Sequence, residues 1–142
     1  GAMALAFAIL VRLIAVAAIL QSGLWGAAAA IIAAAATGRT ALVWHWTDLP
    51  GARAGGVADK AGQPSEDASV FALVTGFVIA AVFAVLFRGI APAVLAAALA
   101  AVATIAFRRV CASKIGGHTG DTLGAAAILA ELTFLIGLAS GL

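Results

Sequence analysis

The chain has 142 residues, of which 65% are hydrophobic and 10% are charged, and its mean hydropathy is +1.18. A soluble domain has about 45–50% apolar and about 25% charged residues, so this composition excludes a soluble globular fold and indicates an integral membrane protein. The apolar runs do not alternate with period two, which argues against a barrel, and the net charge of +2 forms no basic patch with aromatic platforms for nucleic acid.

Five apolar runs are long enough for membrane helices of about 20 residues. They predict an all-α, polytopic transmembrane bundle, with no internal repeat and a single transmembrane domain over 1–142. Alanine-rich tracts inside these runs predict helix faces that pack closely, because small side chains let backbones approach one another. In chain order the predicted helices are 3–20, 25–46, 69–87, 90–107 and 121–140.

The connections differ in length and polarity. The long polar stretch 47–67 predicts a loop between the second and third helices, and Ser65 is typical of a residue that caps the third. Arg88-Gly89 predicts a tight turn into the fourth helix, where Pro92 occupies a tolerated position in the first turn. Residues 108–120 are predicted to separate the fourth and fifth helices.

The lysine and arginine distribution predicts the orientation. With five spans, loops 47–67 and 108–120 share one face, and the opposite face carries only Arg88. Because cytoplasmic loops are enriched in these residues, both loops are predicted to be cytoplasmic, in the cell inner membrane. The five cations on this face are Arg53, Lys60, Arg108, Arg109 and Lys114.

A polar turn between the last two helices is the strongest sign of function. The stretch Gly116-Gly117-His118-Thr119-Gly120-Asp121-Thr122 places a carboxylate and flexible backbone beside the bilayer. Asp121 is either a first-turn carboxylate favoured by the helix dipole, with Thr119 as the cap, or an acid that handles metal or phosphate. His118 is either a hydrogen-bonding loop residue or a catalytic group. Gly120 and Gly124 alternatively form a helix-packing pair.

Charged residues also lie inside the predicted helices. Glu131 needs a partner in the hydrocarbon region, and Arg12 and Arg39 are its natural partners. They form either a structural ion pair or the lining of a substrate cavity. Arg39 and Arg53 are each placed to contact a phosphate. The single cysteine, Cys111, excludes an internal disulfide and a cysteine-cluster metal site.

These motifs resemble a known family. The turn followed by Glu131 resembles the C-terminal signature of cobalamin synthases, and Pro50-Gly51-Ala52-Arg53-Ala54-Gly55-Gly56 looks like the family's Pro-x-Ala-Arg-x-x-Gly region. The helix carrying Arg12 is similar to the one that follows the family's Asp-Ser-Arg-x-Gly-Thr-x-Gly segment. The resemblance covers the whole chain. Family members are longer and carry an acidic Asp-Gly-x-Ala-Asp-x-x-Asp-Gly motif that nothing here matches, so this chain resembles their C-terminal half.

The resemblance implies a Mg²⁺-dependent membrane transferase that joins adenosylcobinamide-GDP to α-ribazole or its phosphate and releases GMP. It implies Asp121 and His118 as catalytic residues, with Asp121 also at the metal, and Glu131 and Arg12 as supporting residues. The implied phosphate-binding set is Arg39, Arg53, Lys114, Gly116, Gly117, Thr119 and Thr122.

The chain by itself is expected to be incomplete for activity, with the main metal ligands in a preceding segment. A partner is therefore expected, either that N-terminal half or a second copy of the chain. The alternative function, from a different class, is a non-enzymatic transporter-like or scaffold bundle whose intramembrane arginines, Arg12 and Arg39, and Glu131 line a path.

Overall fold

The computed structural model describes residues 2–52 and 62–140, and within these ranges it contains five α-helices and no strand longer than a single bridge. All five helices are long and apolar enough to cross a membrane, so the predicted polytopic helical bundle is confirmed. The helices are α1 (Ala2–Leu20), α2 (Leu24–Asp48), α3 (Glu66–Arg88), α4 (Ile90–Ile115) and α5 (Gly120–Ser140).

Helices α2 and α5 form the centre of the bundle. Helix α2 packs against α3 and α5, α5 also packs against α4, and α1 covers the pair from one side. The buried core is built largely from the predicted alanine tracts, with Ile19, Phe134, Leu135 and Leu138 filling the spaces between them. Their small side chains allow the close helix contacts that lipid cannot drive by itself.

Three glycines mark the closest helix contacts. A Cβ at Gly38 would lie 2.8 Å from the Ala127 carbonyl oxygen, which fixes α2 against α5. Gly76 makes an equivalent contact with Thr40, and Gly137 with Ala96. In contrast, a Cβ at Gly124 would meet no atom of the described chain within 4 Å. Within residues 2–52 and 62–140, Gly120 and Gly124 therefore take no part in helix packing.

Helix α4 is two turns longer than predicted. The charges of Arg108 and Arg109 predict that the helix ends at 107, but the helix continues to Ile115. No proline or glycine interrupts it before Gly116, which adopts the left-handed conformation (φ 75°) and donates its N–H to the Cys111 carbonyl. The predicted 108–120 loop is thus reduced to 116–119, and Lys114 lies on the last helical turn.

The other helix ends follow local chemistry. Ser65 caps α3, since its hydroxyl accepts the Ala68 N–H at 3.3 Å, as predicted. A single residue, Gly89 (φ 88°), connects α3 to α4. Helix α2 ends at Asp48 because Leu49 precedes a proline, which disfavours helical geometry, and Leu49 is accordingly extended (φ −113°, ψ 142°). This extended residue positions the site described next.

Candidate functional site

A short parallel bridge joins the end of α2 to the α4–α5 turn. The His118 N–H donates to the Pro50 carbonyl at 2.8 Å, and the Ala52 N–H donates to the His118 carbonyl at 2.9 Å. The two bonds bracket a bridge between Gly51 and His118. The bridge therefore joins two segments of the sequence, the one around Gly51 and the one around His118, into one structural unit. They are about 65 positions apart in the chain.

His118 anchors this bridge with its side chain as well. Its ring is buried, and Nδ1 lies 2.8 Å from the Leu49 carbonyl oxygen. A carbonyl can only accept, so Nδ1 carries a proton and donates it to Leu49. Gln63 donates to the same carbonyl at 3.3 Å. Among the alternatives for His118, the hydrogen-bonding role is the one that the geometry shows.

Gly117 is required by the same contact. A Cβ at this position would overlap the Pro50 carbonyl and would come within 3.2 Å of the Ala52 nitrogen. Glycine is the residue that permits backbones to approach so closely. Gly117 is buried, whereas Gly116 and Gly120 on either side of the turn are exposed.

Thr119 and Thr122 form a reciprocal cap at the start of α5. The Thr119 hydroxyl accepts the Thr122 N–H at 3.3 Å, and the Thr122 hydroxyl accepts the Thr119 N–H at 2.8 Å. This arrangement is a capping box with threonine in the place of the usual glutamate. The predicted cap by Thr119 is confirmed, and both threonines are held by the helix end.

Some backbone N–H groups of the turn donate hydrogen bonds within the protein, and others have no partner in the described chain. The N–H groups of Gly116, His118 and Thr119 are used internally. Those of Gly117, Gly120 and Asp121 have no hydrogen-bond partner among the described residues. The latter two lie at the exposed N-terminus of α5, beside the exposed Asp121 carboxylate. Donors at a helix N-terminus favour an anionic ligand.

The predicted cations are spread over different depths. Lys114 is exposed, two residues before Gly116. Arg39 is also exposed, but the neighbouring Gly38 packs against Ala127, six residues into α5 after Asp121. This places Arg39 roughly 9 Å below the level of Asp121 along the helix axis. Arg53 lies outside the described residues.

Glu131 pairs with Arg12 across α5 and α1. The Arg12 Nη2 lies 2.5 Å from the Glu131 Oε1, and Glu131 is the more buried partner, with 18% of its side chain exposed against 47% for Arg12. Of the two partners considered in the sequence analysis, the structure therefore selects Arg12. An ion pair removes the cost of an isolated carboxylate within a membrane span.

The structure adds a polar cluster that sequence reasoning missed. Arg108 forms an ion pair with Asp48, and its guanidinium carbon lies 4.0 Å from the centre of the Trp44 ring. His45 is fully buried and stacks on Phe107 with ring centres 5.6 Å apart. Neither ring nitrogen of His45 has a hydrogen-bond partner among the described residues.

The missed signal was the Trp44-His45-Trp46 triplet followed by Asp48. Tryptophans near the end of a membrane helix are typical of an interfacial aromatic belt, so they do not by themselves predict a site. His45 lies between these two tryptophans and close to Pro50, which follows the end of α2. This combination could have indicated the place where α2 meets the α4–α5 turn. Arg108 was counted only for its charge, since nothing in the sequence showed its pairing with Asp48.

No three histidine, cysteine, aspartate or glutamate side chains of residues 2–52 and 62–140 come together as a metal-binding group. Asp121 is thus a single carboxylate at an exposed helix terminus. The geometry defines a class: a polytopic α-helical membrane protein with a rigid polar turn at one end of the bundle and donors available for an anion.

Comparison with known proteins identifies the family. Residues 1–139 match the family described as Cobalamin-5-phosphate synthase. The chain is 43% identical over its whole length to an adenosylcobinamide-GDP ribazoletransferase of Rhizobium etli, covering 55% of that protein. It is 47% identical to the Sinorhizobium sp. protein of the same name over 80% of this chain and 44% of the relative.

A third relative, from Brucella ovis, carries the same name and is 38% identical over 87% of this chain and 48% of its own length. No solved structure matches the chain. The chain belongs to the Cobalamin-5-phosphate synthase family. It spans about half the length of the curated relatives it matches.

Proposed function

We propose that this chain takes part in the reaction after which its relatives are named, the adenosylcobinamide-GDP ribazoletransferase reaction. A hydroxyl of α-ribazole, or of its phosphate, would attack the phosphorus attached to the cobinamide, and GMP would leave. The observation that carries the proposal is the His118–Gly51 bridge, which unites two segments of the family resemblance at one end of the bundle. Family membership over residues 1–139 supports it.

The chemistry needs charge neutralisation and positioning more than covalent participation. On this proposal, the free Gly120 and Asp121 amides and the exposed Lys114 would contact phosphate oxygens. Gly116, Gly117, Thr119 and Thr122 would act through the backbone shape that their internal contacts impose. Arg39 and Arg53 would serve more distant parts of the substrate.

Asp121 has a specific part in the proposal. Its carboxylate stands beside donors that favour an anion, so a phosphate there would be repelled unless a cation lay between them. Mg²⁺ prefers about six oxygen ligands and usually keeps several waters. One carboxylate does not make such a site, so the described residues do not hold Mg²⁺ by themselves. Asp121 is proposed as one ligand, with the others supplied by groups beyond these residues.

The decisive experiment compares two first-turn aspartates. Asp121 begins α5 and Asp67 begins α3, and both are exposed. If Asp121 only favours the helix dipole, Asp121→Asn and Asp67→Asn will behave alike. We expect Asp121→Asn to lower GMP release about 100-fold or more, with an unchanged thermal midpoint, and Asp67→Asn to keep full turnover.

The assay should use protein expressed from its native chromosomal context, so that any further segments are present. Full turnover by Asp121→Asn would refute its role at the reacting phosphate. Isothermal titration with Mg²⁺ tests the metal-ligand role of Asp121 separately from its role in turnover. Asp121→Asn should weaken Mg²⁺ binding even where GMP release is too slow to measure.

We also propose the cell inner membrane as the location, with the 116–119 turn on the cytoplasmic face. The charge distribution supports this orientation, since Arg108, Arg109 and Lys114 all lie at that end of α4. Cys111 is the only cysteine and is buried, so Ser113→Cys would supply one exposed thiol. Labelling of that thiol by an impermeant reagent in intact cells would contradict the orientation.

A further inference from the structure

An apolar cavity of about 390 Å³ lies between α2, α3 and α4, with Phe134 of α5 at its floor. Its walls are mainly alanine, valine, leucine and phenylalanine. Three threonines also line it, but their hydroxyls donate to carbonyls of their own helices at 2.7–2.9 Å. The threonine hydroxyls are therefore already used by the helices, and the mainly apolar lining suits an apolar occupant. The threonines are Thr37, Thr40 and Thr104.

The cavity is elongated and opens towards the outside of the bundle. Along α4 its lining runs from Ala93 to Thr104, roughly 16 Å at 1.5 Å per residue. This is about half of a hydrocarbon core of about 30 Å, the depth of one leaflet. Two of its lining residues, Phe77 of α3 and Val94 of α4, are 65% and 61% exposed, which shows that the cavity opens on the α3–α4 side.

At one end of the cavity α4 is basic, whereas α3 begins at that end with the exposed carboxylates Glu66 and Asp67. Trp44 lines that end and carries the Arg108 guanidinium over its ring, one helical turn beyond Thr104. After Thr104, α4 also carries the exposed Arg109 and Lys114 and no carboxylate. Asp48 of α2 pairs with Arg108, which leaves the other two cations without an ion-pair partner in the described chain. An anionic head group beside α4 at this level would complement the positive charge of these two cations.

We propose that one acyl chain of an anionic phospholipid occupies this cavity, with its phosphate beside Arg109 at the basic end. The lipid fills the gap between α3 and α4, which protein side chains leave open. Lipid tails are the solvent around a membrane span, and an apolar cavity this large gains stability when an apolar group fills it. This inference does not depend on the proposed transferase reaction.

Tryptophan fluorescence tests the proposal in the protein itself. Trp25→Phe together with Trp46→Phe leaves Trp44, the tryptophan that lines the cavity, as the only emitter. The protein is reconstituted into phosphatidylcholine vesicles with rising fractions of phosphatidylglycerol brominated on its acyl chains. Trp44 should be half-quenched at a brominated fraction about fivefold lower than in vesicles where brominated phosphatidylcholine is the quencher, given about 1 kcal/mol for the one basic residue, Arg109, beside the phosphate.

Two neighbouring alanines provide the matched control. Ala97 and Ala98 are both exposed on α4, but only Ala97 lines the cavity. Ala97→Phe should fill the space and leave Trp44 quenched no more than the 78%-exposed Trp25, measured in a Trp44→Phe, Trp46→Phe protein. Ala98→Phe should leave the curve unchanged. Arg109→Gln, which leaves the cavity intact, should abolish the preference for phosphatidylglycerol.

Three results would overturn the proposal. Identical curves for Trp44 and Trp25 would show that the cavity holds no particular lipid. Equal quenching by both head groups would remove the anionic assignment. A Trp44 that stays unquenched at every fraction would show that protein, such as a second copy, covers the cavity. Circular dichroism of each variant confirms that the fold is retained.

Discussion

The two ends of the bundle use polar residues in different ways. At the end opposite the site, Arg88 donates to the Ser22 hydroxyl at 2.8 Å and to the Leu138 carbonyl at 2.9 Å, so one guanidinium ties α3 to α5 and to the α1–α2 turn. At the site end, the α4–α5 turn bonds across to Leu49 and Pro50. Both ends contain a left-handed glycine at a short connection, Gly89 or Gly116.

The two ends differ in how many polar groups are left without a hydrogen-bond partner in the described chain. Arg88 donates through both terminal nitrogens to the ends of other helices, which explains its presence structurally, and only its Nε has no partner in the described chain. The site end has more groups without a partner among residues 2–52 and 62–140: the Gly120 and Asp121 amides, the Asp121 carboxylate and the His45 ring. Unused polar groups beside a rigid bridge are more informative about function than polar content alone.

The largest expected effect comes from breaking the bridge at Gly117. In Gly117→Ala the new methyl group overlaps the Pro50 carbonyl, which is backbone and cannot rotate away. We expect a loss of at least about 3 kcal/mol, at the upper end for overpacking, together with loss of GMP release. Thermal unfolding in detergent measures the first and a turnover assay the second.

Gly124→Ala is the matched control, because its added methyl group meets no described atom within 4 Å. Alanine is favoured over glycine by about 1 kcal/mol inside a helix, so this variant should unfold at the same or a higher temperature. If Gly117→Ala were as stable as Gly124→Ala, the bridge would not be the rigid element of the site end.

The sequence predicted most of the fold because composition and period constrain a membrane chain strongly. Five apolar runs have few alternatives to five helices. Ser65 and Thr119 were predictable as caps, since capping depends on residues three positions apart. The end of α4 was missed because charge was taken as a helix boundary. Arg108 instead pairs with Asp48 and stacks on Trp44, so the helix carries it past the apolar run.

The site was only half predictable, because part of it depends on contacts between residues that are distant in the chain. Local motifs identified the turn and the Pro50 segment, but not that they pair, because Gly51 and His118 are distant in the chain. Glu131 required a cation, yet whether that cation was Arg12 or Arg39 depended on how the helices pack. His45 was missed because its lack of partners is a property of burial, which the sequence does not show.

His45 offers a second, smaller test of the site end. Phenylalanine in its place would keep a ring against Phe107, and no hydrogen bond within the described chain would be lost. Removing a buried polar ring without partners relieves a cost of about 1–3 kcal/mol. We therefore expect His45→Phe to unfold at the same or a higher temperature while GMP release falls about tenfold, a loss of about 1.4 kcal/mol.

The control is Phe107→Leu, which removes the stacked ring and keeps the imidazole. It should lower the unfolding temperature and retain turnover, the reverse of the His45→Phe pattern. Full activity in His45→Phe would make His45 an ordinary core residue, and the site end would then hold one fewer group that the fold leaves unexplained.

The smallest effect is expected at the opposite end. Arg88→Met removes the two bonds to Ser22 and Leu138, whose carbonyl lies in the last turn of α5 and has no partner within its helix. Two partly exposed hydrogen bonds contribute about 1–2 kcal/mol together, so the unfolding temperature should fall slightly and GMP release should not change. Arg88→Lys should recover only part of the loss, because a single ammonium lacks the fork that reaches both acceptors. A turnover defect in Arg88→Met at full thermal stability would mean that the two ends are coupled through α5, and the contrast between a structural end and a functional end would fail.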